Sequence, residues 1–242
     1  LGFGGLEILS TIDVLLVIVC FSLQLYFDFS GYSDMATGIA SLFGISLPVN
    51  FNSPYKARSI LDFWDRWHMT LTRFLRRYLY FPLGGSRKGR LRTYGNIMIV
   101  FLVSGFWHGA NWTFVVWGLL HGLAEVLTRR FRNTWSRLPG ILQWFLTMTF
   151  VSFAFLIFRA DTLEQAYIMF RKVARVESLH VTPVMLEGLT LPEIRHLVEL
   201  LRIDAVPGVK GLIPLTLFLG AVLYAALGTQ NCQEKEFVCS KK

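Results

Sequence analysis

Charge is what this 242-residue sequence has little of. Asp, Glu, Lys and Arg make up 17% of it, where soluble domains carry about a quarter. Hydrophobic residues make up 53% and aromatics 15%, with a mean hydropathy of +0.47. That balance excludes an ordinary soluble domain and makes lipid part of the solvent. Cysteine is scarce as well, with three in the chain. Cys20 lies in an apolar run and reads as a packing residue. Cys232 and Cys239 stand seven apart with no histidine beside them, which fits no zinc pattern and leaves a disulfide between them without support. A G-x-S-x-G turn is missing, which removes the serine-hydrolase reading. H-x-x-x-H and H-E-x-x-H spacings are missing too. The one conceivable metal set, Asp28, Asp34, His68 and His108, therefore reads as metal-free. The N-terminus lacks a basic stretch followed by a small-residue cleavage site. It opens on Leu1, and the chain reads as a piece of a longer membrane protein, with a membrane core over 1–228 and a polar tail over 229–242.

The charge that is present is unevenly placed. Lys and Arg number 24 against 16 Asp and Glu, for a net +8. Ten of the basic residues fall between Lys56 and Arg92, against Asp62 and Asp65 alone. Arg129, Arg130, Arg132 and Arg137 form a second cluster. Basic loops between apolar spans set membrane orientation, so both clusters are expected on the cytoplasmic side. No groove-reading motif or stacking platform accompanies them, which excludes nucleic acid as a partner.

The apolar runs predict an all-α, multi-pass protein with broken and re-entrant helices. A first span covers Thr11 to Phe27. The polar stretch through Asp28, Ser30, Gly31, Ser33 and Asp34 predicts a break there, followed by a short amphipathic helix from Asp34 to Phe43. An extended link carries Pro48, Asn50, Asn52 and Pro54. Ser59 to Tyr80 reads as one helix at the interface, capped by Ser59 with Asp62 and too rich in arginine to cross lipid alone. Tyr94 to Leu127 is long enough for two short spans, or one span and a re-entrant one, with Gly105, Gly109, Gly118 and Gly122 permitting close helix contact. Further spans are expected at Ile141 to Phe158 and Leu212 to Leu227. Between them Arg159 to Lys210 balances seven basic against seven acidic residues, as amphipathic helices and a loop.

His108 is the sharpest chemical signal. An ionisable residue inside an apolar run is a functional candidate by default, and a neutral imidazole is a proton acceptor. Gly105 and Gly109 would admit a substrate or another helix, and Trp107 and Trp112 could wall a tunnel. The plainer alternative is a buried histidine bonded to a neighbouring helix. His68, beside Trp67, is a weaker candidate. His121 lies thirteen residues after His108, about 220° away on one continuous helix; it reads as a packing residue facing elsewhere. His180 and His196 read as solvated. The turn from Gly84 to Gly89 is glycine-rich and basic. It reads as a topology-setting loop and is also suited to phosphates.

Five ordered segments carry a family resemblance: Leu25-Tyr-Phe-Asp-Phe-Ser-Gly-Tyr-Ser-Asp-Met35, Asn50-Phe-Asn-Ser-Pro-Tyr55, Asp62-Phe-Trp-Asp-Arg-Trp-His-Met-Thr-Leu71, Tyr78-Leu-Tyr-Phe-Pro-Leu-Gly-Gly85 and Gly105-Phe-Trp-His-Gly-Ala-Asn-Trp112. Together with Phe158-Arg-Ala-Asp161 they resemble the membrane-bound O-acyltransferases, above all the alginate O-acetylase branch. The chain departs from that pattern at Arg77, where Arg-Asp-Tyr is usual, and at Asp65, where Arg is common.

The resemblance implies a helical fold around a tunnel that crosses the bacterial cytoplasmic membrane. His108 matches the catalytic histidine and His68 the second histidine of the tunnel. Trp107, Asn111, Trp67 and Asp34, which fall in matching segments, and Arg73, which stands between two of them, are the candidate substrate-binding residues. The implied reaction moves an acetyl group from cytosolic acetyl-CoA, a donor substrate rather than a resident cofactor. The acyl group passes through extracytoplasmic acetyltransferase partner proteins to a polysaccharide such as alginate. Two alternatives stay open: D-alanyl transfer from a carrier-protein thioester to a cell-wall polymer, and a non-catalytic transporter or scaffold subunit, since buried polar residues and broken helices occur there too.

Overall fold

The computed structural model describes residues 8–182, 185, 220, 221 and 223–228. Among them the regular structure is helical, with no strand. In chain order the helices are α1 (Thr11–Leu42), α2 (Ile60–Arg66), α3 (Met69–Leu75), α4 (Arg90–His108), α5 (Trp112–Arg130), α6 (Arg132–Trp135), α7 (Gly140–Arg159) and α8 (Leu163–Arg175). A 3-10 turn occupies Pro54–Lys56, and Arg76–Tyr80 continues α3 as a π-helical turn. The expected tail over 229–242, most of the span expected at Leu212 to Leu227, and His196 lie outside the described residues. Among the described residues two helices, α1 and α7, are long and apolar enough to cross a membrane.

The break expected near Gly31 is absent. α1 runs unbroken for 32 residues, about 48 Å at the α-helical rise. Its hydroxyls satisfy themselves on the helix. Ser30 Oγ donates to Phe27 O, Ser33 Oγ to Phe29 O and Thr37 Oγ1 to Ser33 O. Hydroxyls that bond back onto the preceding turn need no partner from outside the helix, so polarity here is no breaker.

The described residues form two compact units. One joins the chain up to Leu23 to residues from Glu164 onward; the other holds Gln24–Leu163. In the first unit, Ser10 and Asp13 make a reciprocal cap at the start of α1. Ser10 Oγ accepts from Asp13 N at 3.1 Å, and Asp13 Oδ2 accepts from Ser10 N at 2.9 Å. The other carboxylate oxygen accepts from Thr182 N, so the buried Asp13 spends both oxygens on backbone. Lys172 of α8 donates to Leu9 O, and its own carbonyl accepts from Thr11 Oγ1. α8 is amphipathic as the mixed composition predicted, burying Ala166 and Met169.

The second unit is built on an α4–α5 hairpin backed by α7. Its glycines act as the sequence suggested. A Cβ on Gly118 would stand 2.5 Å from Phe101 O, and one on Gly105 would stand 2.4 Å from Phe114 O. No side chain fits at either place, so the two backbones meet through glycine. Indole N–H groups pin the loops around this core. Trp135 donates to Arg58 O and Trp144 to Tyr55 O. A buried amide takes a carbonyl in the same way: Asn96 Nδ2 donates to Gly85 O at 2.9 Å, anchoring the glycine turn.

The helix expected from Ser59 to Tyr80 is broken in two. Ser59 caps α2 as expected, accepting from Asp62 N at 3.1 Å. The chain then turns at His68, whose φ of 44° and ψ of 53° are left-handed. Side chains other than glycine adopt that region at a cost, and it often marks a functional position.

Candidate active site

His108 is the last residue of α4, half-buried, in a box of rings. Trp107, Phe158 and Trp117 lie at 5.0, 5.0 and 5.4 Å between centroids, and Phe114 at 6.4 Å. Three helices supply these walls: α4, α5 and α7. The helix stops here because Gly109 and Ala110 lead into Asn111, the N-cap of α5. Asn111 Oδ1 accepts from Thr113 N at 3.2 Å, and its amide donates to Asp161 O at 2.9 Å. Gly105 and Gly109 do not open the site to substrate. Gly105 faces the α5 backbone, and a Cβ on Gly109 would meet the Phe114 ring at 2.6 Å.

His68 occupies the left-handed turn between α2 and α3, two seven-residue helices too short to cross a bilayer. Its Nδ1 lies 3.1 Å from Asn50 Oδ1, and the edge of the Phe29 ring packs on it at 4.8 Å. Burial first, and the charge of His108 second, lower its pKa to about 4. His68 is thus neutral at ordinary pH, and two imidazolium ions at His68 and His108 would repel each other.

The two histidines stand within electrostatic reach of each other. The other candidates are placed less directly. Trp107 contacts His108 and is largely exposed, as is Trp112. Trp67 is buried among Phe51, Phe63 and Phe155 at 5.1 to 5.5 Å, in the core under His68. Arg73 ties α3 to the preceding loop by donating to Val49 O at 3.0 Å. Asp34 is half-buried on α1. Both polar ends of Asn111 serve the helix junction.

His121 corrects the sequence reading. The chain turns between α4 and α5, so the phase of a continuous helix does not apply. His121 instead stands beside the box: Trp117 touches His108 at 5.4 Å and His121 at 4.8 Å. It is fully buried, as a packing residue would be, and its Nδ1 accepts from Trp64 Nε1. Asn50 and Thr70, which hold His68, carry no signal of their own in the sequence beyond lying in the resembling segments. Among the described residues no three His, Cys, Asp or Glu gather as a metal site would require.

A cleft of about 110 Å³ opens in the same unit, lined by Trp64, Leu75, Tyr80, Phe101, Ser104 and Arg129. Ser104 lies one turn before His108 on α4. The model of the membrane-bound O-acyltransferase family matches residues 13–162, a span that holds both histidines, the ring box and Asn50. The chain belongs to the membrane-bound O-acyltransferase family. Among relatives of this chain, the peptidoglycan O-acetyltransferase of Helicobacter pylori is 52% identical over 169 residues, covering 68% of this chain and 32% of the relative. A probable alginate O-acetylase of Pseudomonas aeruginosa is 43% identical over 162 residues, covering 66% and 31%. The teichoic acid D-alanyltransferase of Bacillus subtilis is 34% identical over 162 residues, covering 60% and 40%. The chain spans about a third of the length of the first two of these curated relatives.

The departures from the family pattern are also placed. Asp65 pairs with Arg76 at 3.1 Å, beside the departing Arg77. Both partners are half-exposed or more, so the pair adds little stability.

Proposed function

We propose that this chain carries the catalytic part of a membrane O-acyltransferase. It moves an acetyl group from a cytosolic thioester, acetyl-CoA, to hydroxyls of an extracytoplasmic polysaccharide such as alginate, in a multi-pass protein of the bacterial cytoplasmic membrane. The observation that carries the reading is the pairing of His108 and His68 inside the family-matching span. His108 sits in a ring-lined box and His68 is held neutral nearby.

His108 is the general base. Its neutral ring takes the proton of an acceptor hydroxyl as that oxygen attacks the thioester carbonyl carbon. The C–S bond then breaks, and the imidazolium returns the proton to the leaving thiolate. The acyl ester and the free thiol are the products, with no net proton released. Such a base contributes about 10²–10⁴-fold; the aromatic walls add proximity and exclude competing water. The cleft that includes Ser104 suits the slender arm of a thioester donor, and Arg76 and Arg129 in its lining, paired there with Asp65 and Glu125, are the cations available to its phosphates. Extracytoplasmic partner proteins complete delivery to the polymer.

The test is acetylation of surface polymer in cells that carry the full-length protein with His108→Ala. Loss of acetylation at normal protein level is expected. Normal acetylation rejects His108 as the base. Likeness to a teichoic acid D-alanyltransferase supports a second reading, D-alanyl transfer. A requirement for a small carrier protein as donor, in place of acetyl-CoA, selects it.

A further inference from the structure

The second histidine has a bonding pattern that determines where its proton sits. Thr70 N donates to Asn50 Oδ1 at 3.2 Å. A backbone N–H can only donate, so the atom it meets is the carbonyl oxygen of the Asn50 amide, and the amide's orientation follows. The same oxygen accepts from Thr70 Oγ1 at 2.9 Å and lies 3.1 Å from His68 Nδ1. A bare Nδ1 would set two lone pairs against each other, so Nδ1 carries the proton. The Thr70 hydroxyl lies 3.4 Å from Nδ1. Its hydrogen is spent on Asn50, so it too can only accept from the ring.

The far end of Asn50 is held as well. Its amide nitrogen donates to Ser33 Oγ at 3.4 Å, and Ser33 spends its own hydrogen on Phe29 O. The backbone of Asn50 also accepts from Met69 N at 2.9 Å. Asn50 therefore caps the start of α3 in place of His68, which frees the imidazole from capping duty and accounts for the left-handed turn. The groups facing the ring are Phe29 from α1 and Asn50 and Thr70 around Nδ1, and the titratable group acting on it is His108.

We infer that Asn50, locked by Thr70 and Ser33, is a positioning residue that keeps His68 as the Nδ1–H tautomer, so that Nε2 is a bare acceptor for the hydroxyl of the incoming polymer. His68 thereby orients the nucleophile by accepting from it and cannot act as an acid. This inference rests on the acyl-transfer reading above, in which His108 takes the proton.

Two measurements on the full-length protein decide it. In solid-state NMR with ¹⁵N-labelled histidine, His68 is assigned by its loss in His68→Gln. The expected signature is a protonated Nδ1 and an unprotonated Nε2; the opposite tautomer overturns the inference. The second measurement is the pH profile of kcat for acetyl transfer. Asn50→Asp keeps the acceptor oxygen and the Thr70 bond but adds a negative charge beside Nδ1–H. That charge favours the imidazolium, so the acid limb moves up by a pH unit or more, a shift that a purely structural role would not cause. Asn50→Leu removes the acceptor and lowers kcat more than tenfold with the KM for the thioester donor unchanged. An unmoved acid limb in Asn50→Asp overturns the inference. Activity in His108→Ala would instead reject the general-base reading, and the NMR signature would be unaffected by that result.

Discussion

Trp64 donates its indole N–H to Nδ1 of His121 at 3.2 Å, joining residues 57 positions apart in the buried centre of the second unit. An indole can only donate, so Nδ1 is the acceptor and the neutral ring carries its proton on Nε2. The bond ties α2 to α5 directly behind the box that holds His108. Trp64→Phe keeps most of the bulk and leaves a buried nitrogen unpaired. The expected cost is about 1–3 kcal/mol, read as a lower unfolding temperature of the detergent-solubilised full-length protein. An unchanged unfolding temperature would deny this bond any part in holding α2 to α5.

The contact between α4 and α5 supports a paired test. Gly118→Ala puts a Cβ 2.5 Å from the Phe101 carbonyl oxygen, a backbone atom that cannot swing away. The helices must separate, at an expected cost of about 1–3 kcal/mol. A Cβ on Gly95, also on α4, would meet nothing within 4 Å. Gly95→Ala gains helix propensity, worth up to about 1 kcal/mol. Thermal unfolding of the two variants is expected to move in opposite directions. A fall for both, or for neither, contradicts the glycine-mediated contact.

What the sequence made legible was what depends on local pattern. The apolar run at Ile141 to Phe158 became α7, and the small residues at 105, 118 and 122 became the helix contact. The cap at Ser59 was legible because Ser-x-x-Asp is a local device. What failed depended on partners far along the chain or on bonds that polarity alone does not reveal. α1 stayed whole because its hydroxyls bond within the helix. The helix at Ser59 to Tyr80 broke because Asn50, eighteen residues before His68, takes over the cap of α3. The phase argument that faces His121 away from His108 holds only on one continuous helix, and the turn at Gly109 to Asn111 divides α4 from α5. His108 stands out in the sequence through its neighbours; the residues that hold His68 do not, since they act only once folded.

Asn111 was a candidate for substrate binding, and its geometry predicts a different burden. Its side-chain oxygen caps α5 and its amide holds Asp161 O. Asn111→Ala loses both and is expected to destabilise by about 0.5–2 kcal/mol from the cap, with a further contribution from the second bond. Asn111→Asp keeps the cap, since a carboxylate accepts from Thr113 N, and exchanges the amide donor for an oxygen that is repelled by Asp161 O. Unfolding temperature is expected to rank the native protein first, Asn111→Asp second and Asn111→Ala last. An Asp variant as damaged as the Ala variant would show that the cap is not what Asn111 contributes.

The lowered pKa of His68 also predicts how stability depends on pH. An unfolded histidine titrates near about 6.5, whereas the folded His68 titrates at about 4 because burial and His108 disfavour its charge. Between those values the unfolded chain binds the extra proton and the folded chain does not, so stability rises with pH. The contribution is fully present above the unfolded value and is lost as pH falls from there toward the folded one. His68→Gln removes the titration and keeps a neutral polar side chain. Unfolding temperatures measured from pH 7.5 down to pH 5 are expected to fall more steeply for the native protein than for the variant. Parallel curves would mean that His68 takes up its proton as readily in the folded protein as in the unfolded chain, and the neutral acceptor role assigned to it would fail with that result.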